Sequence, residues 1–298
     1  MEIGRQVGNT PVHQVSKSLY KNPNVTIFAK KEWIQIGGSV KARAAYSIIR
    51  NAIESHKLTE ETILLDATSG NTGIAYASIA KELGIKVSLC LPENASKERK
   101  EILTALGVDI IYTSPLEGTD GSQVAAQELA AAHPQKYFYA DQYKNDNNWR
   151  AHYNSTALEF MRQVPSMTHF VTGMGTTGTF VGTGRRLREI DPTIKLVALH
   201  PDSALHGLEG WKHLETAVVP TIYDATVADQ NIDITTEEAY EMLVKVYKVE
   251  GMLLSPSSAA NLAGAIKVAN SIGRGTIATV LPDNADKYSE VIKKLIKL

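Results

Sequence analysis

The sequence predicts an α/β fold with two domains, each built on a mostly parallel, twisted sheet that is flanked by helices. Short β-branched runs alternate with longer segments of helical period, which is the pattern of βαβ units and of parallel sheets covered on both faces. The number of strand candidates indicates two sheets, and a length of 298 residues is sufficient for two domains.

The strand candidates are β-branched, apolar runs that end at turn residues. They cover residues 25–30, 62–66, 85–91, 108–112, 137–140, 169–172, 195–199 and 276–281. Helical periodicity predicts helices over residues 39–55, 71–83, 96–106, 121–132, 148–163, 177–190, 237–250, 257–270 and 286–297. Thr235 and Glu238 form a capping box for a helix that Gly251 ends.

Composition excludes several classes of protein. Thirty-one Lys and Arg against 32 Asp and Glu give a formal charge of −1, so the chain lacks the basic character of a nucleic-acid-binding protein. The single cysteine, Cys90, cannot form an intrachain disulfide, and the first residues lack a secretory signal, so we expect a cytoplasmic protein. The longest uncharged stretch, residues 163–184, is too polar for a membrane helix.

A glycine-rich loop follows one predicted strand and opens the next helix, with the sequence Gly173-Met174-Gly175-Thr176-Thr177-Gly178-Thr179. Glycines allow close backbone approach, and the N–H groups of a helix N-terminus bind phosphate. The spacing also satisfies the GxGxxG fingerprint of dinucleotide-binding proteins, but the next strand ends at His200 and Pro201 instead of an acidic residue. A tight turn that binds nothing is the alternative.

A second loop, Thr68-Ser69-Gly70-Asn71-Thr72-Gly73, also lies between a strand and a helix. Its hydroxyls, its amide side chain and the N–H groups of the helix start suit a small carboxylate without any arginine. The same residue types are common at helix starts that bind nothing, so an ordinary N-capped turn is the alternative.

Two further loops carry candidate residues. Lys41 lies in the first turn of its helix, where the helix dipole and Arg43 both favour the neutral amine that a Schiff-base nucleophile needs. A solvated surface lysine is the alternative. In residues 255–261, Ser257 is either a ligand or the N-cap of its helix.

In this order and spacing, the four loops resemble those of the fold-type-II pyridoxal-phosphate (PLP) enzymes, the superfamily of the tryptophan synthase β-subunit. Within it, the chain is similar to the cysteine synthase and cystathionine β-synthase family, most of all to B-type O-acetylserine sulfhydrylases. The similarity covers nearly the whole chain, from Gly8-Asn9-Thr10-Pro11 through residues 91–94 and 141–143 to Asp286-Lys287-Tyr288.

The resemblance implies a role for each matching residue. Lys41 would hold PLP as a Schiff base and then remove the substrate α-proton, Asn71 would bind the ring O3′, and Ser257 would face the pyridine nitrogen. The residues that would bind the phosphate are Gly175, Thr176, Thr177, Gly178 and Thr179. Those that would bind the substrate carboxylate are Thr68, Ser69, Asn71, Thr72 and Gln142. No metal is expected.

The resemblance also implies the domain organisation and the partners. Residues 1–12 and 35–146 would form a smaller N-terminal α/β domain, and residues 13–34 and 147–298 a larger PLP-binding domain. A polar segment at residues 141–149 is the candidate hinge. We expect a homodimer that acts on an amino acid and on sulfide or another nucleophile, without nucleic acid or membrane.

The reaction that the resemblance implies is β-replacement, in which sulfide replaces the activated hydroxyl of O-acetyl-L-serine through an aminoacrylate to give L-cysteine. A neutral serine opposite the ring nitrogen favours elimination over transamination. The entrance loop of residues 207–213 carries Lys212, the cation that a phosphate leaving group would need. Since Lys212 is more often a solvated surface residue, an acetyl ester is favoured.

Several alternatives stay open. The donor could be O-phosphoserine or serine, and the nucleophile could differ, as in a cystathionine β-synthase-like or diaminopropionate-forming enzyme. An NAD-binding dehydrogenase would use GxGxxG but leave Lys41 unexplained, and Lys41 also argues against a non-catalytic PLP-fold binding protein. Gln35-Ile36, Ala42 and Ser255-Pro256 depart from the family pattern beside the cofactor loops.

Overall fold

The structure is a computed structural model that describes residues 2–68 and 70–296. The described residues form ten strands: β1 (Val12–Gln14), β2 (Val25–Lys31), β3 (Ile63–Ala67), β4 (Lys86–Pro92), β5 (Asp109–Thr113), β6 (Tyr137–Tyr139), β7 (His169–Gly173), β8 (Lys195–Pro201), β9 (Gln230–Ile234) and β10 (Gly275–Leu281). They also form ten α-helices: α1 (Lys41–Glu54), α2 (Asn71–Leu83), α3 (Lys97–Ala105), α4 (Gly118–Ala132), α5 (Asn147–Ala151), α6 (Ala157–Gln163), α7 (Gly178–Ile190), α8 (Thr236–Glu250), α9 (Pro256–Ser271) and α10 (Ser289–Ile296).

The chain divides into two compact units, Met1–Gly8 with Gln35–Asn148, and Asn9–Ile34 with Trp149–Leu298. From the sequence we place the corresponding boundaries after residues 12, 34 and 146. Local hydrogen bonds account for the structural division. The Asn9 N–H donates to Glu159 Oε1 at 2.9 Å within the second unit, and Asn148 Nδ2 donates to Gln142 O at 2.7 Å within the first.

The first unit contains a four-stranded parallel sheet in the order β5-β4-β3-β6. Its central strand β4 alternates between two cores: Leu89 and Leu91 pack with residues of α2, whereas Cys90 packs with Ala126 of α4. Successive side chains of a strand point to opposite faces, so these contacts place one helix on each face of the sheet. The predicted α/β fold with helix-covered parallel sheets is confirmed.

The second unit contains a six-stranded sheet in the order β1-β2-β10-β7-β8-β9. All neighbouring strands are parallel except β1, which pairs antiparallel with β2. Leu199, Leu243 and Leu262 belong to its main core, in which α8 and α9 pack together and α9 packs on β10. Because β7 and β10 are adjacent and parallel, their carboxyl ends are neighbours, and both strands lead to candidate loops.

Four details differ from the sequence-based expectations. The edge strands β1 and β9 are missed, because three residues are too short to show a period and β9 reads Gln-Asn-Ile-Asp-Ile, with two polar, exposed residues first. A π-helical turn, His152–Thr156, interrupts the predicted helix over residues 148–163. Ser255 and not Ser257 caps α9, since its side chain accepts the Ser258 N–H.

The predicted capping box of α8 is confirmed, with Thr235 and Glu238 bonded reciprocally and Gly251 left-handed at the C-terminus. The end of the last predicted helix, at Lys297, lies outside the described residues. None of the described helices combines the length and apolar character that crossing a membrane requires.

Candidate active site

Lys41 is the first residue of α1, and a tight glycine turn places it there. Gly37 and Gly38 both have positive φ, 72° and 61°, which favour glycine. A Cβ at Gly37 would lie 3.0 Å from Ala75 Cα, so the turn can pack against α2 only without a side chain. The Lys41 N–H donates to Ser39 Oγ at 3.4 Å, and the Lys41 side chain is half-buried.

The predicted carboxylate receptor is partly assembled within the first unit. Thr68 follows β3 and Gln142 follows β6, and these neighbouring parallel strands bring both residues to one edge of the sheet. The Thr72 hydroxyl donates to Gln142 Oε1 at 2.7 Å, and the Gly70 N–H donates to Thr68 Oγ1 at 3.2 Å. Asn71 is the first residue of α2. The predicted residue Ser69 lies outside the described residues.

Gln142 is held by an unusual backbone. The preceding residue, Asp141, has a φ of 43°, in the left-handed region that Asp tolerates better than most residues. The Gln142 side chain donates through Nε2 to Ala67 O at 3.3 Å, and the backbone carbonyl of Gln142 accepts from Asn148 Nδ2. These contacts fix the amide of Gln142 at the receptor.

A fully buried carboxyl, Asp66, lies next to this receptor. Its Oδ1 accepts the Ala67 N–H at 2.8 Å and its Oδ2 accepts the Gln142 N–H at 3.4 Å. Burial is the main cause that raises the Asp66 pKa from 3.8 to about 7, and the charge of Asp141 acts in the same direction. Sequence reasoning missed Asp66, although its position at the end of a buried strand is a usable signal.

The glycine-rich loop connects β7 to α7 as predicted. A Cβ added to Gly175 would overlap the carbonyl oxygen of Gly210, so glycine is needed for this close approach. Thr176 and Thr177 are buried, and Gly178 begins α7, whose first N–H groups lack intrahelical acceptors. The loop therefore presents a helix start of the kind that can bind an anion, and a side chain at residue 175 would disrupt it.

Thr177 gives the strongest indication that this loop binds a ligand. It is a β-branched residue in the left-handed conformation, with φ 69° and ψ −13°, at the N-cap of α7. Its hydroxyl is buried and has no hydrogen-bond partner within the part of the chain that the structure describes. Strain of this kind concentrates at ligand sites, and the hydroxyl with the helix start fits a phosphate group.

Two residues that sequence reasoning missed hold the glycine-rich loop. Asn261 of α9 accepts the Gly173 N–H through Oδ1 at 2.6 Å. His152, in the π-helical turn, has Nδ1 2.9 Å from Thr156 Oγ1 and Nε2 3.3 Å from Thr179 Oγ1. A π-helical turn often marks a functional region, but its single extra residue has no signature in the sequence.

Ser257 lies in the first turn of α9 and is 5% exposed. Its Oγ is 3.2 Å from Ser255 Oγ and donates to Asp283 Oδ1 at 3.5 Å. Asp283, which follows β10, also accepts the Tyr288 hydroxyl at 2.7 Å. Ser257 is thus a neutral group that contacts the carboxyl group of Asp283, a contact that the sequence did not indicate.

Other chemistry has less support at these loops. Burial raises the pKa of the Cys90 thiol to about 11, so Cys90 is a poor nucleophile at neutral pH. No group of three or more His, Cys, Asp or Glu side chains with the arrangement of a metal site occurs among residues 2–68 and 70–296.

Comparison with known proteins identifies the relatives of this chain. The family model described as "Pyridoxal-phosphate dependent enzyme" matches residues 3–283. The chain is 43% identical over 293 residues to the cysteine synthase of Aquifex aeolicus, covering 96% of this chain and 90% of that protein. It is 35% identical to cysteine synthase B of Pseudomonas aeruginosa, covering 95% and 93%. The crystal structure of an O-acetylserine dependent cystathionine beta-synthase from Helicobacter pylori matches with a TM-score of 0.90 and 32% identity, covering 97% of this chain and 96% of that one.

Proposed function

The chain belongs to the family of pyridoxal-phosphate-dependent enzymes, and we propose that it is a cysteine synthase, which converts O-acetyl-L-serine and sulfide into L-cysteine and acetate. PLP is the cofactor of this family. The observation that carries the choice of reaction is the 43% identity to a cysteine synthase over 96% of the chain.

The cofactor loops fit PLP by their own chemistry. Bound PLP supplies an electron sink that stabilises the negative charge left when the substrate loses its α-proton. The strained, buried Thr177 and the helix start after Gly175 suit its phosphate. We assign Thr176, Gly178 and Thr179 to the same phosphate group, Asn71 to the ring oxygen and Ser257 to the ring nitrogen.

Lys41 is the proposed catalytic residue. Its Nζ would hold the cofactor, and as a free amine it would take the substrate α-proton. Thr68, Ser69, Asn71, Thr72 and Gln142 bind the substrate carboxylate and orient the Cα–H bond. As a neutral partner, Ser257 does not hold a proton on the ring nitrogen as a carboxylate would, which favours loss of the β-substituent over transamination.

The contact of Lys212 supports a donor whose ester group is neutral. Lys212 Nζ donates to the carbonyl oxygen of Val218 at 3.3 Å. A phosphate ester carries a charge of roughly −1.5 to −2 and would need a cation at the entrance loop, whereas an acetyl ester is uncharged and needs none. We therefore give Lys212 a structural role within its own loop and no role in binding the donor. O-acetylserine is the proposed donor.

A cystathionine-forming enzyme is the second candidate. The similarity to the O-acetylserine dependent cystathionine beta-synthase of Helicobacter pylori covers 97% of this chain, and the donor named for that protein is the same. The two candidates differ in the nucleophile, which is sulfide for one and the thiol of homocysteine for the other.

The test uses the purified protein loaded with PLP. We expect a yellow protein that forms cysteine from O-acetylserine and sulfide, with little turnover of O-phosphoserine or serine. Lys41→Ala should abolish turnover and the visible band, and Lys212→Ala should leave O-acetylserine turnover nearly unchanged. A strong preference for O-phosphoserine that Lys212→Ala removes would overturn the donor, and faster turnover with homocysteine would favour the second candidate.

We also propose that the protein is a cytoplasmic homodimer. The single, buried Cys90 suits a reducing compartment. The homodimer is the assembly that the resemblance to this family implies. Light scattering coupled to gel filtration measures the mass, and a monomer would refute the dimer.

A further inference from the structure

Asp66 connects the two segments that carry the carboxylate receptor. Its side chain is 0% exposed. One oxygen accepts the Ala67 N–H, which precedes Thr68, and the other accepts the Gln142 N–H. Since Gln142 in turn accepts the Thr72 hydroxyl, Asp66 lies one hydrogen bond away from the groups proposed to bind substrate.

Hydrogen bonds stabilise the charged form of Asp66, but no cation is among the described groups that act on it. Two titratable groups act on Asp66: the Tyr76 hydroxyl of α2 lowers its pKa and the Asp141 charge raises it. Three further groups feel its charge: Cys90 of β4, Tyr139 of β6 and Tyr143 after β6. Asp120 of α4 acts on Tyr143. The tyrosines and the thiol are neutral at pH 7, and Lys144 Nζ lies 3.7 Å from Asp141, not beside Asp66. The strongest charge near Asp66 is therefore a like charge.

The described receptor is itself neutral, because it consists of hydroxyls, an amide and backbone N–H groups. A bound carboxylate would therefore add a second negative charge close to a desolvated carboxyl, where Coulomb interactions are stronger than in water. Two such negative charges oppose each other, so ligand binding favours the protonated form of Asp66. By reciprocity, protonation of Asp66 favours ligand binding.

We propose that Asp66 is a proton-linked positioning residue of the receptor, which takes up a proton from solvent when the carboxylate of an amino acid binds to Thr68, Thr72 and Gln142. The burial that raises its pKa to about 7 places this exchange near neutral pH. Loss of the substrate ammonium proton favours binding at high pH in every variant, so the contribution of Asp66 is the ratio of wild-type to Asp66→Asn affinity. This ratio should fall by about tenfold as pH rises above 7, if the two charges are fully coupled. The inference rests on the proposed function, since it assumes the carboxylate receptor.

The experiment titrates the PLP-loaded protein with L-alanine, which has a carboxylate and an amine but no leaving group. Calorimetry at pH 7 in two buffers of different protonation enthalpy counts the protons exchanged. The proton change of amine exchange at the cofactor is common to all variants and cancels in their difference. We expect the wild type to take up about half a proton more than Asp66→Asn, because a group at its pKa is half ionised.

Two further variants make the result specific. Asp141→Asn removes the like charge near Asp66 and so lowers the pKa of Asp66, which moves the pH of greatest proton uptake downward. Uptake measured at pH 8 should therefore be smaller than in the wild type. Asparagine tolerates the left-handed backbone at this position. Asp109→Asn is the matched control, since Asp109 is an exposed carboxylate on β5 that accepts from Ser88 Oγ at 3.0 Å. It should leave the wild-type uptake unchanged.

Equal proton uptake by wild type, Asp66→Asn and Asp141→Asn would overturn the role of Asp66, even if cysteine formation is normal. If Asp66→Asn does not fold, the Asp141→Asn comparison decides alone. Turnover of O-acetylserine with sulfide, measured on the same preparations, tests the proposed function separately. Lost turnover with intact Asp66-dependent uptake would refute the cysteine synthase assignment and support the proton linkage.

Discussion

Replacing Thr177 with glycine should stabilise the cofactor-free protein and weaken PLP binding at the same time. Thr177 has a φ of 69°, and a left-handed conformation costs a residue with a Cβ about 1 to 2 kcal/mol. Its buried hydroxyl, without a hydrogen-bond partner among the described residues, costs about 1 to 3 kcal/mol more. Glycine removes both penalties but adds backbone entropy worth about 1 kcal/mol and loses a buried methyl worth about 0.8 kcal/mol. The expected net gain is about 0.2 to 3 kcal/mol.

The same hydroxyl is proposed to bind the phosphate of PLP. A hydrogen bond to a charged group contributes about 1.5 to 3 kcal/mol, so its loss should weaken PLP binding by about 10- to 150-fold. Urea unfolding of the cofactor-free protein measures the free energy of unfolding, and equilibrium dialysis measures the PLP affinity. A less stable Thr177→Gly protein would refute the strain argument, and wild-type PLP affinity would refute the phosphate contact.

Thr183→Gly is the matched control for this prediction. Thr183 lies in the interior of the same helix α7, and its buried hydroxyl likewise has no hydrogen-bond partner within the described part of the chain. Because its backbone is helical, glycine there relieves no strain and lowers helix propensity. We expect a smaller gain in stability than for Thr177→Gly, or a loss, with wild-type PLP affinity.

Three other variants test the remaining assignments. Gly175→Ala should show little of the visible absorption of bound PLP, because the new Cβ overlaps Gly210 O. Full PLP occupancy would contradict phosphate binding by the glycine-rich loop. Ser257→Ala should weaken PLP binding about tenfold or less, because it removes one neutral hydrogen bond worth about 0.5 to 1.5 kcal/mol, and a hundredfold loss would contradict a neutral partner. The pKa of Asp66 is raised from 3.8 to about 7, so the folded protein binds a proton that the unfolded chain releases between these pH values. The free energy of unfolding should therefore fall as pH rises from about 4 to 7, by about 4 kcal/mol in total. In urea unfolding at pH 5 and pH 8, Asp66→Asn should lack this loss, and a pH dependence equal to that of wild type would contradict the raised pKa.

Local sequence determined most of the fold. The alternation of β-branched runs with helical periods predicted the inner strands β3, β4, β7, β8 and β10, because central parallel strands are apolar along their whole length. It also predicted the capping box at Thr235, since a cap forms between residues three positions apart. The composition of each loop after a strand, together with family resemblance, identified the candidate residues around Lys41 and Gly175.

Only the tertiary structure decided how some of these residues work. β1 and β9 exist as strands because β2 and β8 supply their hydrogen bonds, not because their own residues favour extended backbone. Thr177 adopts positive φ against the preference of a β-branched side chain, because the packing of the surrounding loop holds it in that conformation. The pKa of Asp66 depends on burial and on contacts with Gln142, 76 positions later in the chain. Periodicity and spacing report interactions between near neighbours, whereas strain, burial and electrostatics at these sites arise from contacts that form only when distant segments pack.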